Sequence, residues 1–84
     1  MKMITTIHQD IAFIVKDIMM YKLGLEESHL EDEALLQDQL GVDLNDIIEL
    51  KIEIENKFCI HISQEEAEKL HTVASIILCV QQKM

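Results

Sequence analysis

Cys59 and His61 stand two residues apart and are the closest pair of soft ligands in the sequence, so metal chemistry would begin there. A structural zinc ion needs four such ligands at paired spacing, and His8, His29, His71 and Cys79 supply no second pair. No metal site is expected, and the histidines read as surface or partly buried side chains. Asp43-Leu44-Asn45 opens like a calcium loop, in which oxygen ligands alternate along the chain. The pattern then fails, because Ile47, Ile48 and Ile54 fill the places of the third oxygen ligand, the turn glycine and the bidentate glutamate. The sixteen carboxylates form no recognisable acid/base pair, and triads and phosphate loops are lacking. The chain does not read as an enzyme, and no catalytic residues are expected.

The placement of charge says more than its chemistry. The formal net charge is −9, and fourteen of the sixteen acidic residues lie between Glu26 and Glu68, where only Lys51 and Lys57 oppose them. Arginine is absent from the whole chain, which removes the usual bidentate ligand for phosphate and argues against nucleic acid as a partner. A basic protein surface is the partner this charge points to. No run approaches the roughly 18 apolar residues of a membrane span, and Lys2 is not followed by a leader-type apolar region. The expectation is a cytoplasmic protein that makes no use of a membrane. Cys59 and Cys79 fall in segments that read as buried, which suits reduced thiols acting as small hydrophobes.

The elements that would position these groups follow from periodicity. With 84 residues, 49% hydrophobic, no proline and only Phe13, Tyr21 and Phe58 as aromatics, the chain reads as one all-α domain over residues 1–84 with an aliphatic core. Ile4, Ile7, Ile11, Ile14 and Ile18, widened by Val15, predict a helix over 4–22, capped by Thr5 or Thr6 and ended by Gly24. Phe13, Met19 and Met20 lie off that stripe, so they either pack on a second neighbour or form an exposed patch. Residues 25–40 form a long connection that Leu25, Leu30, Leu35, Leu36 and Leu40 would pin to the core, with a helical turn at Ala34–Gln39. A second helix is expected over 44–57, with Asp43 as its N-cap and Asp46 beside the positive end of its dipole. Ile47, Leu50, Ile54 and Phe58 supply its buried face, broadened by Ile48 and Ile52, while Asp46, Glu49, Glu53 and Asn56 face away. Ser63-Gln64-Glu65-Glu66 is a capping box that starts a short helix over 64–69. Thr72 caps a last helix through Gln82, buried through Val73, Ile76, Ile77 and Val80.

The run Leu40-Gly41-Val42-Asp43-Leu44-Asn45-Asp46-Ile47-Ile48-Glu49-Leu50 resembles the Leu-Gly-x-Asp-Ser-Leu-Asp-x-x-Glu-Leu signature of acyl carrier proteins. It matches at Leu40, Gly41, Asp43, Asp46, Glu49 and Leu50. The likeness extends over nearly the whole chain, through Leu23-Gly24 and the sixteen-residue path to Leu40, and through Glu65-Glu66-Ala67-Glu68-Lys69 followed by Thr72-Val73. It implies an acyl-carrier-protein-like four-helix bundle of three longer helices and one short one, the same order that periodicity gives. In that family the serine after the aspartate carries 4′-phosphopantetheine. Here Leu44 stands at that place, followed by Asn45 where the family usually has leucine, so no cofactor is expected.

What the resemblance and the charge imply together is an acyl-carrier-protein-like protein that docks to enzymes of fatty-acid, polyketide or related acyl metabolism. It would do so without phosphopantetheine at the usual position. The candidate contacts are Asp43, Leu44, Asp46, Ile48, Glu49, Glu53 and Glu55, set against a basic surface of the enzyme. Two alternatives stay open. One is a functional acyl carrier loaded with 4′-phosphopantetheine at Ser28, Ser63 or Ser75. The other is a small helical regulatory or oligomerisation module, in which the expected monomer gives way to a dimer through Phe13, Met19 and Met20.

Overall fold

The computed structural model describes residues 3–84, with side chains from Ile11 onward. Four α-helices follow one another, α1 (Met3–Leu23), α2 (Leu44–Phe58), α3 (Gln64–Ala67) and α4 (Val73–Lys83), and no strand forms among the described residues. This is the expected helical bundle, three longer helices and one short. α1 already runs from Met3, which puts Thr5 and Thr6 inside the helix and corrects the expected cap there; the side chains of Ile4 and Ile7 lie outside those described.

Helix starts are set by short polar side chains that satisfy the free N–H groups of the first turn. Asp43, Ser63 and Thr72 each cap a helix and are capped in return, by Asp46, Glu66 and Ser75. α1 ends at Gly24, whose φ of 69° is left-handed and whose N–H donates to the Met20 carbonyl at 3.0 Å. A side chain there would meet nothing, so the backbone angle and not space calls for glycine. α2 has no glycine at its end, and Cys59 takes the left-handed turn instead, with φ 56°. That corrects the expectation of a buried Cys59: reversing the chain places it at the surface, and both thiols are free.

α1 packs against α2 and α4, and α2 against α3. Val15 and Met19 from α1, Leu50 and Ile54 from α2, and Val73, Ile76 and Val80 from α4 meet in one aliphatic core, with Leu30, Leu36 and Ile62 sealing it from the connections. Met19 is fully buried and Met20 partly so, while Phe13 remains 68% exposed. Of the two readings left open for Phe13, Met19 and Met20, packing on a second neighbour holds for the two methionines, since α1 bears on α2 and α4 at once, and Phe13 alone stays exposed. Ile48 and Ile52 correct the second-helix reading, since both are half exposed instead of broadening the buried face.

The connection from 25 to 43 is stitched to α4. The Leu36 N–H donates to the His71 carbonyl at 2.9 Å, and the N–H groups of Val73 and Ala74 donate to the carbonyls of Ala34 and Asp32 at 3.3 and 2.8 Å. Of its leucines, Leu30 and Leu36 are buried, Leu25 and Leu40 partly so, and Leu35 points outward. A single 3₁₀ turn at Glu27–His29 was not foreseen; His29 Nδ1 accepts the Glu26 N–H at 3.2 Å and closes it. The turn expected at Ala34–Gln39 forms, with the N–H groups of Gln39 and Leu40 both donating to the Leu35 carbonyl. α3 stops at Ala67, short of Lys69, in turns closed three residues apart.

Candidate functional site

The start of α2 is built by two carboxylates. Asp43 Oδ1 accepts the Asp46 N–H at 2.8 Å, and Asp46 Oδ2 accepts the Asp43 N–H at 3.2 Å. Two negative groups are tolerated there because the unpaired N–H groups of a first turn carry partial positive charge. Gly41, at φ 68°, turns the chain so that Val42 drops into the core while Asp43 stays outside. The next residue, Leu44, is thereby presented to solvent, 68% exposed.

From there α2 shows two different lanes. One carries Asp46, Glu49 and Glu53 at helical spacing, and Glu53 reaches toward α1, 3.9 Å from the Lys22 ammonium. On another side, Leu44, Ile48 and Ile52 recur every four residues; the latter two are 48% exposed, and Leu44 and Ile48 face α3. Beside that apolar lane runs a groove of about 420 Å³ lined by Leu44, Ile47, Ile48, Lys51, Gln64, Ala67 and Glu68. Sequence reasoning placed Ile52 in the core. The spacing of Leu44, Ile48 and Ile52 is the sequence signal of this separate stripe.

Glu55 stands apart from the other candidate contacts. Its carboxylate accepts the Ile62 N–H at 2.8 Å and lies 3.3 Å from Lys51 and 3.4 Å from His61. The backbone bond from Ile62, followed by Lys51, holds its carboxyl below the usual range. With its side chain only 18% exposed, Glu55 ties α2 to the connector before α3 and does not belong to the acidic lane.

The three serines differ in what their hydroxyls already do. Ser63 Oγ accepts the Glu66 N–H at 3.1 Å, and Ser75 Oγ donates to the Thr72 carbonyl at 2.6 Å. Ser28 lies exposed in the 3₁₀ turn. Among the described residues no three histidine, cysteine or acidic side chains gather as a metal site would require, and no helix is long and apolar enough to cross a membrane.

No protein-family model matches the chain. The acyl carrier protein of Thermotoga maritima, by contrast, is 34% identical to it over 76 residues, which span 90% of this chain and 94% of the relative. The chain belongs to the acyl carrier protein family. As in the resemblance drawn from the motif, the likeness runs far beyond the residues around Asp43. For an acyl carrier protein, the informative part of the surface is then the start of α2, where Gly41 and the Asp43 cap fix which side chain is held outermost.

Proposed function

We propose that this chain is an atypical acyl carrier protein that docks to enzymes of acyl metabolism, of the fatty-acid, polyketide or a related kind, without carrying phosphopantetheine on α2. The observation that carries the reading is Leu44, exposed at the first position of α2, directly after Asp43 where the family motif has its serine. A leucine side chain offers no oxygen for a phosphodiester. The contact surface would be Asp43, Leu44, Asp46, Ile48, Glu49 and Glu53, met by lysines and arginines of the enzyme; Glu55 contributes indirectly, by holding α2 against its connector. Exposed charge pairs contribute only about 0.2–1 kcal/mol each, so several must act together, and the encounter is fast and salt-sensitive. Basic surfaces, and not nucleic acid, suit an acidic lane without arginine.

Intact-mass measurement after incubation with a phosphopantetheinyl transferase and coenzyme A tests the reading. An unchanged mass is expected. Ser63 and Ser75 have their hydroxyls engaged in helix caps, which leaves Ser28 as the hydroxyl to watch. An adduct mapped to any of the three would replace this reading with that of a loaded carrier. The double change Leu44→Ser, Asn45→Leu should restore modification, since it returns the nucleophile to the capped start of α2.

A further inference from the structure

We propose that two copies of this chain pair through the outer face of α1, with Phe13 of each copy seated in the α1–α2 groove of the other. Phe13, Asp17 and Tyr21 recur every four residues along α1, on the side away from the buried Val15 and Met19. Phe13 is 68% and Tyr21 85% exposed, two rings about 12 Å apart along one helix, whereas the third aromatic, Phe58, packs against the core. Aromatic side chains are the favoured anchors of protein interfaces. Beside Tyr21 a groove of about 320 Å³ opens between α1 and α2, lined by Ile14, Asp17, Ile18, Tyr21, Glu53 and Lys57. Ile14 and Ile18 give it an apolar floor, with room for a phenylalanine ring. A ring at one end of the face and a groove at the other suit a two-fold pair. With the two α1 helices antiparallel, residue 13 of one copy lies at residue 21 of the other, and the same contact is made twice.

Charge selects the second copy among occupants. The acidic excess lies between Glu26 and Glu68, while residues 1–25 hold Lys2, Lys16 and Lys22 against Asp10 and Asp17. The groove is balanced in the same way, Asp17 and Glu53 against Lys57 and Lys22, the last 3.9 Å from Glu53. Two chains of net charge −9 can therefore meet at α1 without setting their acidic sides against each other. Asp17 and Lys57 line one groove, so a dyad that brings the two carboxylates together brings both ammonium groups with them. A strongly basic or acidic partner finds no complementary excess there, and an anionic lipid surface is repelled by the rest of the chain. Met19 takes no part, being fully buried. The pairing uses none of Asp43, Leu44, Asp46, Ile48 or Glu49, so it stands independently of the docking reading.

Sedimentation equilibrium of the whole chain tests the pairing. The mean mass should rise with concentration toward twice that of one chain. Like net charges repel at long range, so association should tighten as salt is raised, the reverse of docking to a basic enzyme surface. Phe13→Ser with Tyr21→Ser should weaken it at least about tenfold, and Leu78→Ser, at an exposed site on α4, should leave it as in the parent. Dilution of the parent followed by amide-resolved NMR needs no variant, and its shifts should centre on residues 13–21 and 53–57. A chain that stays monomeric to about 1 mM in high salt would overturn the pairing. So would association that survives the double change, or dilution shifts centred on residues 44–52. Binding to phosphatidylcholine vesicles or to a lysine-rich peptide, lost in the double variant, would give the face another occupant and overturn it as well.

Discussion

The carboxylate of Glu55 accepts the backbone N–H of Ile62 at 2.8 Å, a bond that spans the reversal from α2 into the connector and fixes where α3 begins. Ile62 itself is fully buried, so the donor it offers has little access to water. Glu55→Ala should therefore cost about 1–3 kcal/mol, the penalty of an unmet buried donor. At about 4–8 °C per kcal/mol for a domain of this size, thermal melting will show it. Glu55→Gln keeps an acceptor and should cost less; equal melting of Glu55→Ala and the parent would sink the assignment.

Acid should weaken the fold through two carboxylates. Glu66 is held down to about 2, first by its hydrogen bond with Lys83 at 2.9 Å and then by the Ser63 N–H, and Glu55 is lowered chiefly by the Ile62 N–H. A folded-state value below the ordinary 4.5 means that the unfolded chain binds protons more readily. Their contribution is thus fully present above the ordinary 4.5 and is lost as pH falls below it, for Glu66 toward about 2. Lys83 is shifted the other way, raised by Glu66, so its share is lost only above its ordinary 10.5. Urea midpoints measured across the acid range should fall in the parent and flatten in Glu66→Gln.

Ile54→Ala should cost about 2–5 kcal/mol, because Ile54 is completely buried where α2 meets the core. A denaturation midpoint indistinguishable from the parent would remove it from that core.

Cys59→Gly should raise stability by up to about 1 kcal/mol. A β-carbon in the left-handed region costs about 1–2 kcal/mol, partly offset by the greater freedom glycine gives the unfolded chain. A lowered melting point would mean that contacts of the cysteine side chain outweigh the backbone strain.

Reversing Glu49 and Glu53 to lysine should weaken binding to an acyl-metabolism enzyme and reduce its salt dependence without unfolding the domain. The Lys22–Glu53 pair is exposed, so its loss changes melting little. A captured enzyme indifferent to both changes would place the interface elsewhere on the molecule.

Helix type and order were legible because the cues are local. Asp43, Ser63 and Thr72 each announce a start, and Gly24 a stop. Ile47, Leu50 and Ile54 set one face of α2, and Val73, Ile76, Ile77 and Val80 one face of α4, each with helical spacing. What escaped depends on neighbours distant in sequence. Met19 is buried because α1 packs on both α2 and α4, while Ile52 is half exposed on the side of α2 away from Ile47, Leu50 and Ile54. Cys59 could not be placed from hydropathy, since the turn it makes is decided by the absence of glycine at the end of α2. At the candidate site, the acidic lane was readable from Asp46, Glu49 and Glu53. Glu55 was not separable from them, because its partner Ile62 lies in an irregular connector.

The carbonyls of Asp32 and Ala34, which receive the first N–H groups of α4, make the long connection part of that helix's foundation. A protease nick between residues 30 and 36 would thus do more than open a surface loop. It would release the acceptors under Val73 and Ala74, and amide exchange in the first turn of α4 should accelerate together with that at Leu36. The two segments, far apart in the chain, would open and close as one cooperative unit.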